Sequence, residues 1–379
     1  MKQKHSGKKI MIDIGLALLL TGGFLLNFYI MPREGAGEGK VLGISETGAA
    51  TFELPSGTMT EYEETQPAGG IEKAPGGGSK SRPEPGSRSR EGGDPDGGGS
   101  RGKSGRGGGN PGSGNTKTTE IQSDDTAPIT RTEEKQETLL HTLSEEDIYL
   151  TITKTELGGD SEKITYYTAD IYLTNVNQLK TAFAKGTYGK NIRETTLQMA
   201  VDNQALLAIS GDSYGNNEKG VVARNGIRYR SETNDAEVCV LFTDGTMKIY
   251  EPDQLTRENV LEQDVWQAWN FGPSLLEDGK VKSTFQTTSY LNRTNPRCAI
   301  GYAEPGHYLL VLVDGRNQGY SKGATMTELA QIMADEGCVL AYNLDGGKSS
   351  AMVYQGEYVN QPADGGRTIS DIIYLERTE

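Results

Sequence analysis

The sequence predicts an α+β domain of mixed or antiparallel sheets packed with flanking helices, preceded by a single N-terminal transmembrane helix and a disordered linker. Three observations predict it. An apolar run occupies residues 10–31, a glycine-rich stretch follows, and from residue 145 short alternating apolar patterns are interleaved with helical ones. The chain is thereby divided into a cytoplasmic start and anchor over 1–32, a linker over 33–144 and a folded domain over 145–379.

The run from Ile10 to Met31 is long enough to cross a hydrocarbon core of about 30 Å as a helix rising ~1.5 Å per residue. Lys2, Lys4, Lys8 and Lys9 crowd its N-terminal side, so the positive-inside rule keeps that end in the cytoplasm and exports the remainder. A cleaved signal peptide shares the Lys-rich start, but no clear small-x-small cleavage site precedes Pro32. The expected localisation is the cell membrane, single-pass, held through the N-terminal helix with the C-terminal domain extracytoplasmic.

The linker assignment rests on composition. Eighteen glycines lie between Gly69 and Gly114, among prolines and short mixed charges, and such a segment cannot bury enough apolar surface to offset its chain entropy. Its RGG-like pieces suggest nucleic acid, but the net charge of -14 argues against that partner. Three cysteines, Cys239, Cys298 and Cys338, are too few for a disulfide-built scaffold and match no zinc spacing. With His5, His141 and His307 the only histidines, a triad or multi-His metal site would rest on His307 alone. No metal and no cofactor are read from the sequence.

Within the folded part, residues 148–152 and 163–173 alternate around Gly158-Gly159-Asp160, as a hairpin does. Residues 193–203 have helical spacing at Leu197 and Val201, and the apolar strand 205–209 follows, ending in the polar loop SGDSYG. Residues 221–223, 238–242 and 247–250 read as a meander with Asn225-Gly226 and Asp244-Gly245 turns. Residues 298–302 and 307–313 are apolar strands. Thr325-Met326-Thr327-Glu328 is a capping box, and the helix it opens carries Leu329, Ile332 and Met333 on one face and stops at Gly337. A last apolar strand, 339–344, breaks at Asp345.

The loop Asn343 to Ser350, NLDGGKSS, brings a carboxylate, two glycines, a lysine and two hydroxyls to a strand end. Glycines let backbone N–H groups approach an anion closely, and hydroxyls add donors, so a phosphate or sugar suits it; a plain Asp-Gly-Gly turn is the alternative. Asp314-Gly315-Arg316 ends a second buried strand, and Arg297 opens a third, where a planar guanidinium fork can hold a phosphate. Asp212 in SGDSYG fits a general base, a nucleophile or an Asx-turn residue.

Residues 208–225, Phe271-Gly272-Pro273, 295–301 (NPRCAIG), 313–323 (VDGRNQGYSKG) and 341–352 (AYNLDGGKSSAM) together resemble the phosphodiester glycosidase family, that of the N-acetylglucosamine-1-phosphodiester α-N-acetylglucosaminidases. The motifs follow in consistent order from Asp147 to Leu375. The sequence departs from the family pattern at Ser210, where Asn is usual, and at Lys348, where a third glycine is usual. The resemblance implies hydrolysis of a glycosidic bond to a phosphodiester in a phosphorylated glycan, described as exopolysaccharide-related in bacterial relatives. It implies Asp212 and Asp345 flanking the anomeric carbon, with Asp314 either reacting or orienting Arg316. Arg297 and Arg316 would hold the phosphate, and Gly346, Gly347, Lys348, Ser349 and Ser350 would line it. A non-catalytic phosphoglycan-binding module is the second reading, with Ser210 and Lys348 as its signs.

Overall fold

A computed structural model describes residues 31–42, 50–55, 119–122, 134–255 and 264–377. Alternation of β-branched and aromatic residues sets the architecture. Ile148–Leu157 and Ile164–Leu173 pair without interruption from Ile148 opposite Leu173 to Leu157 opposite Ile164, so every second side chain faces one core. They sit inside a six-stranded sheet whose order is Leu340–Asn343, Arg297–Glu304, His307–Val313, Ile164–Leu173, Ile148–Leu157 and Lys135–Ser144. A second six-stranded sheet runs Met247–Tyr250, Val238–Phe242, Val265–Trp269, Val222–Arg224, Ile227–Arg230 and Lys40–Val41. A five-stranded sheet runs Glu357–Tyr358, Met352–Tyr354, Ala205–Ser210, Asp371–Glu376 and Leu179–Phe183.

The three sheets bury their faces on one another. Ile152, Ile171, Ile300 and Leu310 meet Leu207, Ile209 and Ile373 of the five-stranded sheet and Leu241 and Trp269 of the second six-stranded sheet in one cluster. Each such side chain contributes about 1.5–3 kcal/mol when fully buried. Two α-helices among the described residues cover outer faces. Met326–Asp335 lays Leu329, Ile332 and Met333 on Ala299, Leu309 and Val311, and Thr196–Asp202 lays Met199 and Ala200 on Ala208, Ile372 and Tyr374.

This corrects the expected α+β class, in which mixed or antiparallel sheets pack with flanking helices. The fold is β-rich, and every pairing between its described strands is antiparallel. Sheets that cover each other need few helices, which alternation within single strands does not reveal. Strands also form inside the stretch expected to be linker: Arg33–Glu34, Lys40–Val41, Thr119–Gln122 and Lys135–Ser144. The last of these is an edge strand with almost wholly exposed side chains, so it has no apolar face to announce it.

The expected single-pass membrane localisation is corrected as well. Among the described residues no helix is long and apolar enough to cross a membrane. Of the apolar run 10–31, all but Met31 lies outside the described residues, as does the glycine-rich segment 69–114.

Candidate active site

Two of the sequence-singled loops meet because their strands are both built into the common core. Strand Ala205–Ser210 ends at the Gly211-Asp212 bend, and strand Leu340–Asn343 ends at the Asp345 bend. The Asp345 N–H donates to the Gly211 carbonyl at 3.1 Å, the Ser210 hydroxyl donates to the Ser349 carbonyl, and the Cys298 thiol donates to the Ser210 carbonyl at 3.3 Å. Positions more than a hundred residues apart are thus joined by hydrogen bonds. Gly346 is required there, since a Cβ would stand 2.7 Å from the Pro296 carbonyl, and Gly347 holds φ +67°.

Asp345 is 7% exposed. Its Oδ2 accepts from the Ser349 hydroxyl at 2.8 Å, and Arg367 Nη2 reaches both carboxylate oxygens at 2.9 and 3.1 Å. Burial is the larger influence and pushes its pKa above the ordinary carboxylate value, while the Arg367 guanidinium and the Ser349 hydroxyl pull it down. Arg367 is also tied to Ser349, its Nε donating to the hydroxyl at 2.6 Å.

Asp212 lies deeper, 2% exposed, with Oδ1 accepting from the Tyr214 N–H at 2.9 Å and Oδ2 from the Asn270 N–H at 3.0 Å. Arg224 Nη2 stands 3.1 Å from Asp212 Oδ2 and 2.8 Å from Asp371 Oδ2, so a buried guanidinium bridges two buried carboxylates. Burial pushes the Asp371 pKa well up, against the lowering charge of Arg224.

The other residues singled out from sequence fall into different places. Arg297 is 3% exposed and spends its fork on backbone, Nε on the Ala324 carbonyl at 2.8 Å and Nη2 on those of Leu291 and Arg293 at 2.7 and 2.5 Å. Burial lowers its pKa to about 10. It is a strut between loops, not an arm free to hold an anion. Arg316 is exposed and donates to Asn295 Oδ1 at 2.7 Å, close over Gly347. Asp314 forms no ion pair with Arg316 among the described residues; it accepts from Asn360 Nδ2, Gln361 N and the Tyr320 hydroxyl at 2.7–3.0 Å, anchoring residues 360–361. Lys348 points to the surface and pairs with Asp364 at 2.8 Å. Its φ is not positive, because Gly347 takes the left-handed position of the bend. Ser350 is buried, and its hydroxyl has no partner among the described residues.

Sequence reasoning missed Arg224, Asp371 and Arg367. A charged residue on an otherwise apolar strand was the available signal for Arg224 in VVARNG and for Asp371 in SDIIYL, since neither is buried without a partner. Arg367 follows a Gly-Gly turn in a polar loop and carried no such signal.

Residues 196–376 match the family model for phosphodiester glycosidase. The SPbeta prophage-derived uncharacterized protein YomE of Bacillus subtilis is 29% identical over 254 residues, which cover 62% of this chain and 39% of that protein. The N-acetylglucosamine-1-phosphodiester alpha-N-acetylglucosaminidase of Homo sapiens is 30% identical over 88 residues, 23% of this chain and 17% of the enzyme. The Bos taurus enzyme is 29% identical over 133 residues, 32% of this chain and 25% of the enzyme. The chain therefore matches well under half of the length of each of these relatives. The solved catalytic domain of the zebrafish enzyme, auto-inhibited by its pro-peptide, is 20% identical with a TM-score of 0.49, covering 67% of this chain and 92% of that one. The matched segment holds both bends and the Arg224 bridge, and residues 196–376 belong to the phosphodiester glycosidase family.

Proposed function

We propose that the domain hydrolyses the glycosidic bond of a sugar-1-phosphodiester in a phosphorylated glycan, releasing the sugar and leaving a phosphomonoester. The observation that carries this reading is the hydrogen-bonded union of the Asp212 and Asp345 bends inside the family segment. A phosphate is already a good leaving group, so the reaction needs less from a general acid than ordinary glycoside hydrolysis does and more from water activation and charge placement. Asp345 is the reacting carboxylate of this reading. It lies nearer the surface than Asp212 and is oriented by Arg367 and Ser349. Asp212, with both oxygens occupied from within, supports the bend that carries Asp345.

The departures that favoured a binding-only module do not obstruct this site. Lys348 turns out to Asp364, and Ser210 is absorbed in the contact with Ser349. The test is release of free sugar from a panel of sugar-1-phosphodiesters. Turnover by the native chain is expected, with Asp345→Asn reducing kcat by about 10²–10⁴. Tight binding with no released sugar would replace the hydrolase reading with the binding module.

A further inference from the structure

The two arginines that the motifs suggest for an anion, Arg297 and Arg316, are engaged with neighbouring loops. Glu194 and Ile369 exchange backbone hydrogen bonds at 3.0 and 2.7 Å, which sets residues 193–196 beside 367–370. Arg193 and Arg367 therefore come from one locally paired segment beside the Asp345 bend. Arg367 is already matched by the Asp345 carboxylate. Arg193 is only half-buried; its Nη2 donates to the neutral Asn216 Oδ1, and it forms no ion pair among the described residues. Burial and then the neighbouring Arg367 charge lower its pKa while the Asp345 carboxylate raises it, so Arg193 stands close to both members of the Arg367–Asp345 pair. Neither of the other arginines can compete. Arg297 is bound to carbonyls, and Arg316 lies on the exposed side of the loop, engaged with Asn295.

We propose that Arg193, with Arg367 at its side, is the subsite for the phosphodiester group, Arg193 supplying a charge and a planar fork. A phosphate oxygen pair bound there relieves the repulsion between the two guanidiniums and places the anomeric carbon on the Asp345 side of the phosphate. This rests on the hydrolase reading, but its test does not. Inorganic phosphate is titrated calorimetrically into the full chain and into Arg193→Gln and Arg316→Gln. Loss of one charge-assisted contact is expected to weaken phosphate at least tenfold in Arg193→Gln and less than twofold in Arg316→Gln. Arg193→Lys, which keeps the charge and loses the fork, is expected to fall between the native chain and Arg193→Gln, and it serves if the Gln variant does not fold. Phosphate affinity unchanged in both Arg193 variants, or lost equally in Arg316→Gln, overturns the subsite. Sugar release separates the two ideas. A native chain that binds phosphate through Arg193 yet cleaves no phosphodiester leaves the subsite standing and removes the reaction; native KM in Arg193→Gln with intact turnover removes the subsite and keeps the reaction.

Discussion

At the scale of single residues, the two joined bends hold carboxylates in opposite circumstances. Asp212 accepts two backbone N–H bonds and a guanidinium, whereas Asp345 has only side-chain partners, Ser349 and Arg367, near the surface. Because burial raises the Asp345 pKa and Arg367 opposes that rise, the charged form of Asp345 is lost at a higher pH than an ordinary carboxylate's, ~3.9. If that form reacts, the acid limb of kcat/KM lies above that value. Arg367→Gln removes the opposing charge, so the limb is expected to move further up in pH, in addition to any loss of affinity. A pH profile of sugar release measures both; a limb that moves down in the variant contradicts Asp345 as the group being titrated. The bends themselves were legible because Gly and Asp mark sharp turns at strand ends. The guanidiniums were not, because whether an arginine faces a ligand or a carbonyl depends on loops distant in sequence, as Arg297 shows by bonding Leu291, Arg293 and Ala324.

At the scale of elements, one helix and one ion bridge decide how firmly the site is held. The capping box read from sequence forms in full: Thr325 Oγ1 accepts from the Glu328 N–H at 3.2 Å, and Glu328 Oε2 accepts from the Thr325 N–H at 2.8 Å. Thr325→Ala is expected to cost about 1 kcal/mol in a denaturant titration while leaving sugar release per folded molecule unchanged. The other helix was read less well. Spacing at Leu197 and Val201 marked the helix, yet Val201 is 53% exposed, and Met199 and Ala200 pack inward, since seven residues are too few for periodicity to fix a face. The Arg224 bridge links strand Val222–Arg224 of one sheet to strand Asp371–Glu376 of another and to the Asp212 bend. Arg224→Met strands two buried carboxylates, and a loss of about 3–5 kcal/mol is expected, with a smaller loss for Asp371→Asn because Arg224 keeps Asp212. Equal losses in the two variants would show that the bridge does not act through Asp212.

At the scale of the whole molecule, the period-two runs made the strands legible, but the number and mutual packing of the sheets were not, since three sheets share Ile152, Leu207 and Trp269 in one core that no single run describes. The fold also holds protons on buried side chains. Tyr166, Tyr214, Tyr308 and Tyr342 are 3% exposed or less, and burial raises each phenol above its ordinary pKa. Three of them donate within the fold, Tyr166 to Glu336 Oε1 at 2.9 Å, Tyr308 to the Gly245 carbonyl at 2.7 Å and Tyr342 to the Glu237 carbonyl at 2.7 Å. The buried free thiols behave alike, Cys338 being pushed up to about 12 and Cys239 and Cys298 also raised by burial. The sign follows from linkage. These groups keep their protons in the fold and lose them in the unfolded chain at about pH 8.5 for Cys and 10 for Tyr, so their stabilisation is complete below those values and is lost as pH rises through them. Each group costs about 1.4 kcal/mol for every pH unit spent between its unfolded and folded pKa. The urea midpoint is therefore expected to fall from about pH 9 and steeply above 10, and Tyr308→Phe to start from a lower midpoint at pH 7, for want of the bond to Gly245, but to fall less steeply than the native chain. Ultraviolet titration of the native protein should show buried tyrosines ionising only as it unfolds; a midpoint constant to pH 11 would mean that these side chains reach water without disturbing the three-sheet core.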